Sequence, residues 1–203
     1  MNDRLNMLIE QMRDLEQELA QEIQKKEAEL FYEVRQRKVR FTAEVKAQHR
    51  KLAKRIHQTL LESKPLILLT APLIWAVLLP LVLLDLVTFV FQAVCFPIYD
   101  IPKVRRSDYI ILDRQHLAYL NLIEKANCIY CGYANGLVAY VGEMAGRVEQ
   151  YWCPIKHASK LKSMHSRYGA FFDYGNAEDY RKSVEEVRRR FDDLEKKQVM
   201  GSE

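Results

Sequence analysis

Residues 65–99 of the 203-residue chain read PLILLTAPLIWAVLLPLVLLDLVTFVFQAVCFPIY, with Asp85 the one charge inside the run and no basic residue between Lys64 and Lys103. A run this long and apolar specifies a membrane element before any other structure. One span needs about 20 helical residues, so 35 are long for one helix and short for two. Pro80 lies near the middle with Pro72 before it, and proline removes a helical hydrogen bond. Asp85 also lies near the middle, where a straight span would hold a carboxylate in hydrocarbon at a cost of about 3 kcal/mol. The flanks are basic on both sides, with Arg50, Lys51, Lys54, Arg55 and Lys64 before the run and Lys103, Arg105 and Arg106 after it. Positive-inside bias then places both ends in the cytoplasm. The expectation is a helical hairpin with arms near 66–79 and 81–98, one kinked and tilted span and a buried soluble core helix pair being the alternatives. The basic collar adds attraction to anionic headgroups.

The charge of the preceding segment is segregated. Residues 1–33 hold four basic against nine acidic side chains, net −5, whereas residues 34–64 hold ten against two, net +8. The positive end therefore meets the membrane. Met1 opens a charged pattern with no basic and apolar leader, so no signal peptide is expected. Residues 1–62 contain neither proline nor glycine, and Leu5, Leu8, Met12, Leu15 and Leu19 alternate steps of three and four. That spacing is a heptad seam and predicts a long coiled-coil-type helix over 1–62, slipping near Ile23 and resuming less cleanly at Leu30 and Val34. Its partner is a second copy of the chain or another protein. The alternative is a bent, solvated helix that folds back.

Three of the four cysteines follow the run, and their spacing does not resemble a secreted disulfide framework. Cys128-Ile-Tyr-Cys131-Gly132 has the form of a zinc knuckle, and Cys153 and His157 follow at a spacing suited to a second ligand pair. Cys128, Cys131, Cys153 and His157 make a Cys3His set for a structural metal, zinc before iron, because a histidine stands in place of the fourth thiolate. The site has a geometric condition. A helix over 137–151 travels about 21 Å, so Cys131 and Cys153 meet only if residues 132–136 first run outward, or if the helix breaks at Gly142 or Gly146. Asn135-Gly136 suits such a reversal. Inert thiols or a redox dithiol are the alternatives at Cys128 and Cys131. His116 and His165 are reserve ligands. Glu143 and Glu149 lack the Glu-x-x-His partner of a di-iron centre.

Elsewhere, residues 109–112 (YIIL) read as a short strand or a helix entry, 114–127 as a helix, and Leu137, Val141, Met144, Val148 and Trp152 as the seam of another. Asn176 reads as the N-cap of a C-terminal amphipathic helix over 176–197 with Tyr180, Val184, Val187, Phe191 and Leu194 on one face. This helix docks on the module or pairs with a partner. No P-loop, dinucleotide fingerprint, nucleophile elbow or zinc-protease motif occurs. A net charge of +4 gives no case for nucleic acid.

The stretches FPIYDIPKVRRSDYI, CIYCGYANG and EQYWCPIKHA together resemble a family of small bacterial membrane proteins with a C-x-x-C-G and C-x-x-x-H module. The resemblance covers about residues 65–175. It implies a bacterial inner-membrane setting and the Cys3His set above, and it carries no reaction, substrate or partner.

The resulting expectation is a mainly α-helical protein: a coiled-coil arm (1–62), a membrane hairpin (65–99), a Cys3His metal-binding module (104–175) and an amphipathic helix (176–197). Its expected role is that of a non-enzymatic scaffold or adaptor on the cytoplasmic face of the inner membrane, without catalytic or organic-cofactor residues. A rubredoxin-like electron-transfer protein and a membrane thiol oxidoreductase are the alternatives.

Overall fold

The computed structural model describes residues 38–194, residues 32–35 and scattered positions between 7 and 26. The chain is mainly α-helical. It divides into two units, Met1–Ser63 with Asp113–Ile129, and Lys64–Leu112 with Tyr130–Glu203.

In the first unit, the described positions from Met7 to Lys26 are helical, and Leu15 and Leu19 of the expected seam stand exposed. Leu5, Leu8, Met12 and Leu30 lie outside the described residues. The segment 1–62 is not one helix. Strands β1 (Tyr32–Arg35) and β2 (Lys38–Phe41) pair antiparallel, with Tyr32 opposite Phe41 and Val34 opposite Val39. The cause is legible in YEVR and KVRF, where aromatic and β-branched residues alternate with charges at the strand period of two. Helix α1 (Ala43–Lys51) starts at Thr42, whose hydroxyl caps the Val45 N–H. Helix α2 (Ile56–Glu62) follows. Within this unit Asn121 donates to the Thr59 hydroxyl at 2.7 Å, and the His49 ring meets Tyr119 edge to face.

The second unit is organised by the apolar run. Helix α3 (Pro65–Ala76) leads through the single residue Val77 into α4 (Leu78–Ile98). Val77 keeps αR dihedrals, φ −64° and ψ −19°, and the Leu81 N–H still bonds its carbonyl. The reversal expected at Pro80 does not occur. Pro80 stands in the first turn of α4, where an N–H has no partner within the helix, so proline interrupts without turning the chain. Residues 65–98 form one helix long and apolar enough to cross a membrane.

At the end of α4, Asp100 adopts the left-handed region (φ 56°), and the Ile101 N–H reaches back to the Phe96 carbonyl at 2.9 Å. This is a Schellman closure, with Ile101 and Phe96 packed together in the core. Residues 101–112 then form a strap. The reading of 109–112 as a strand or helix entry is not met, since only a 3₁₀ turn at Arg106–Asp108 interrupts the strap. The helix expected over 114–127 starts later, at Leu122, and fuses with the next to give α5 (Leu122–Trp152). Its start is a reciprocal capping box. The Glu124 carboxylate accepts from the Asn121 N–H at 2.8 Å, and the Asn121 side chain accepts from the Glu124 N–H at 3.0 Å.

Helices α4 and α5 run in the same direction, because Asp85 meets Tyr133, Gln92 meets Tyr140 and Tyr99 meets Tyr151. The core between them holds Phe96, Leu137 and Tyr140, each at most 1 % exposed, with Ile101, Val104, Met144 and Phe191. Burial of each large side chain contributes about 1.5–3 kcal/mol. The C-terminal helix α6 (Ala177–Arg189) is capped by Asn176 as expected and docks on this core. Val187 is buried, and the Gln150 amide donates to the Val187 and Arg190 carbonyls.

Candidate functional site: an apolar helix with its polar seam turned inward

Along α4 the shielded positions are Leu78, Leu81, Asp85, Thr88, Gln92, Cys95 and then Tyr99, in steps of three and four, with Phe96 beside them. The polar residues of α4, Asp85, Thr88 and Gln92, lie on that inner stripe. The outer positions Val82, Leu83, Leu84, Leu86, Val87, Phe89, Val90, Phe91 and Val94 are apolar and exposed. A water-soluble amphipathic helix has the opposite arrangement. Within the described unit this helix is inside out, as a lipid-facing helix is. Every α3 residue except Ala71 is exposed, and the Thr70 hydroxyl is satisfied by the Leu66 and Ile67 carbonyls.

Each inward polar group has a partner. Arg106 grips the Asp85 carboxylate through Nε at 3.2 Å and a terminal nitrogen at 2.6 Å, and the Tyr133 hydroxyl adds a bond at 2.9 Å. Hydrogen bonding to Asp85 holds the Arg106 guanidinium above its ordinary pKa. Burial, and after it the Asp85 hydrogen bond, pushes the Tyr133 phenol upward, so it remains a donor. Burial does the same at Tyr140. The Thr88 hydroxyl donates back to Leu84 at 2.7 Å.

Gln92 serves the strap as a neighbouring strand would. Its amide oxygen accepts from the Val104 N–H at 2.7 Å, and its nitrogen donates to the Val104 carbonyl at 3.3 Å and to the Tyr140 hydroxyl at 3.0 Å. Arg147 donates to the Pro102 carbonyl at 2.6 Å. An extended segment buried without such bonds leaves peptide groups unpaired at about 1–3 kcal/mol each. Two helical glycines make room for this packing. A Cβ on Gly136 would stand 2.6 Å from the Tyr109 carbonyl oxygen and 2.8 Å from the Ile110 Cα, and one on Gly146 would collide with the His165 ring.

The candidate metal ligands do not gather. Cys128 and Cys131 lie within α5, Cys153 is exposed just past its end, and His157 stacks its ring on Tyr168. Residues 132–136 continue the helix where the site required an outward run, and the helix does not break at Gly142 or Gly146. The rise from Cys131 to Cys153 is therefore about 33 Å at about 1.5 Å per residue. Among the described residues no group of three or more His, Cys, Asp or Glu side chains is arranged to hold a metal ion. The reserve ligands do not change this. His165 pairs with Glu149 at 3.0 Å, and His116 lies exposed in a 3₁₀ turn. Glu143 is buried in a bond to Arg147 at 3.0 Å and accepts from Ser166 at 2.7 Å, which makes it a packing pair. Arg167, also buried, ties Gln150, Asp193 and the Arg190 carbonyl together.

No family model, curated protein or solved structure matches the chain. The resemblance noted from the cysteine motifs gains nothing from these comparisons, and the site has to be interpreted from its own geometry. That geometry centres on Asp85, Gln92 and Arg106 more than on the cysteines. Their signal in the sequence is the step of seven from Asp85 to Gln92 inside an otherwise apolar run.

Proposed function

We propose that the chain is a membrane-anchored scaffold or adaptor. The observation that carries this reading is the helix Pro65–Ile98, in which Asp85 and Gln92 are partnered inward while a face of Leu, Val and Phe remains uncovered. Its most apolar stretch has a mean hydropathy of 2.6 and is 0 % buried. A contiguous apolar surface of this extent marks a membrane or partner contact. The unbroken apolar length favours lipid. On this reading the arm, with Leu15 and Leu19 exposed, recruits a partner or a second copy. The basic residues at both flanks favour the cytoplasmic face of an anionic inner membrane.

The zinc or iron reading of Cys128, Cys131, Cys153 and His157 is not carried into this proposal, because an unbroken α5 separates Cys131 from Cys153.

Fractionation of bacteria expressing the full chain tests the anchor. The protein should stay with membranes through high salt and alkaline carbonate and enter solution with detergent. Recovery in the soluble fraction without detergent refutes the reading.

A further inference from the structure

The inverted helix poses a depth problem, and its solution specifies how the protein sits in lipid; the inference rests on the membrane reading above. The 34 residues of Pro65–Ile98 extend about 51 Å at about 1.5 Å per residue, against about 30 Å of hydrocarbon. An upright helix must leave part of its length outside. If its hydrocarbon-crossing part is 65–84, the exposed outer face beyond it, Val87, Phe89, Val90 and Val94, stands in water. If that part is 78–98, the strap enters the hydrocarbon with it. Val104 is bonded to Gln92 at both backbone groups and is 3 % exposed, whereas its neighbours Lys103 and Arg105 are exposed. In an extended segment, with Arg105 at φ −80° and ψ 111°, successive side chains alternate in direction, so these two cations point away from the core at the depth of Gln92. Carrying them into hydrocarbon costs about 2.5–3.5 kcal/mol each.

We propose that Pro65–Ile98 lies within one leaflet of an anionic membrane and does not cross it. The outer face of α4 rests on acyl chains, while Lys103 and Arg105 reach headgroup phosphates. Helix α3, continuous with α4 and carrying Thr70 as its one hydroxyl side chain, lies at the same level. Lys64 at one end of the run and Lys103 at the other mark the same headgroup layer, which accounts for the two basic flanks without any hairpin.

The test uses the full chain with its four native cysteines replaced and one nitroxide at Leu83, Val87, Val90 or Val94. It is bound to vesicles of phosphatidylethanolamine and phosphatidylglycerol. Depth from oxygen against nickel-chelate accessibility should agree among the four sites to within about one helical turn, ~5 Å. A steady gradient of about 1.5 Å per residue, or roughly 16 Å from Leu83 to Val94, overturns the in-plane placement and leaves the membrane reading intact. Absence of lipid exposure at all four sites overturns both. With the wild-type helix, the double change Lys103→Gln and Arg105→Gln should weaken partition into these vesicles by about thirtyfold and leave partition into phosphatidylcholine unchanged. An equal loss in both lipids, or none in either, removes the headgroup assignment.

Discussion

At Cys131 the local pattern and the fold point to different environments. In the sequence it completes a knuckle with Cys128, and its position before Gly132 favours a turn. In the fold it is an exposed residue of α5. If α5 is continuous, Cys131→Ser removes little packing and should change thermal stability in detergent by no more than about 0.5 kcal/mol. A metal staple predicts a loss several times larger, together with stoichiometric metal in the wild type that the variant lacks. The glycines of the same stretch account for the discrepancy. Gly132 and Gly136 carry a turn signal in the sequence, yet both are buried in the helix. Gly136 is small because a backbone crosses it, and a neighbour in space leaves no periodicity to detect.

At the scale of elements, the α4–strap–α5 arrangement makes a pointed comparison between two glycines of one helix. Gly136→Ala places a Cβ against the Tyr109 and Ile110 backbone, which cannot move aside as a flexible side chain would. It should lower stability by about 1–3 kcal/mol. Gly142 has nothing within 4 Å of its Cβ position, and Gly142→Ala should raise stability by about 0.5–1 kcal/mol through helix propensity. Thermal denaturation of both variants in one detergent checks the signs, and equal effects would contradict the strap's placement. The same elements mark what was legible in sequence. Elements governed by local chemistry were readable: the apolar run, the Asn176 cap and the Val184–Val187 face of α6, although the helix ends at Arg189, short of Phe191 and Leu194. The β-hairpin could have been found from the alternation of YEVR and KVRF, but the heptad spacing upstream pulled those residues into a helix. Pro80 in mid-run suggests a reversal because an interior proline breaks a helix. Val77 ends α3 just before it, which moves Pro80 into a first turn where it does no damage. The Gln92–Val104 pairing joins a helix to an irregular strap and follows no sequence period.

For the whole molecule, the central claim is that the outer face of α4 meets lipid and its inner stripe meets protein. The unusual feature is the direction of polarity: Asp85 and Gln92 bond to the protein side, whereas Val87 and Val90 are each more than half exposed. Charges placed on the outer face should therefore leave the fold intact and abolish membrane residence. Vesicle flotation of the full chain, wild type beside Val87→Asp/Val90→Asp, measures this directly. The wild type should rise with the vesicles, and the double variant should stay at the bottom of the gradient with its helical circular dichroism unchanged. Flotation of the double variant as efficient as the wild type's would contradict the account, as would a wild type that does not float.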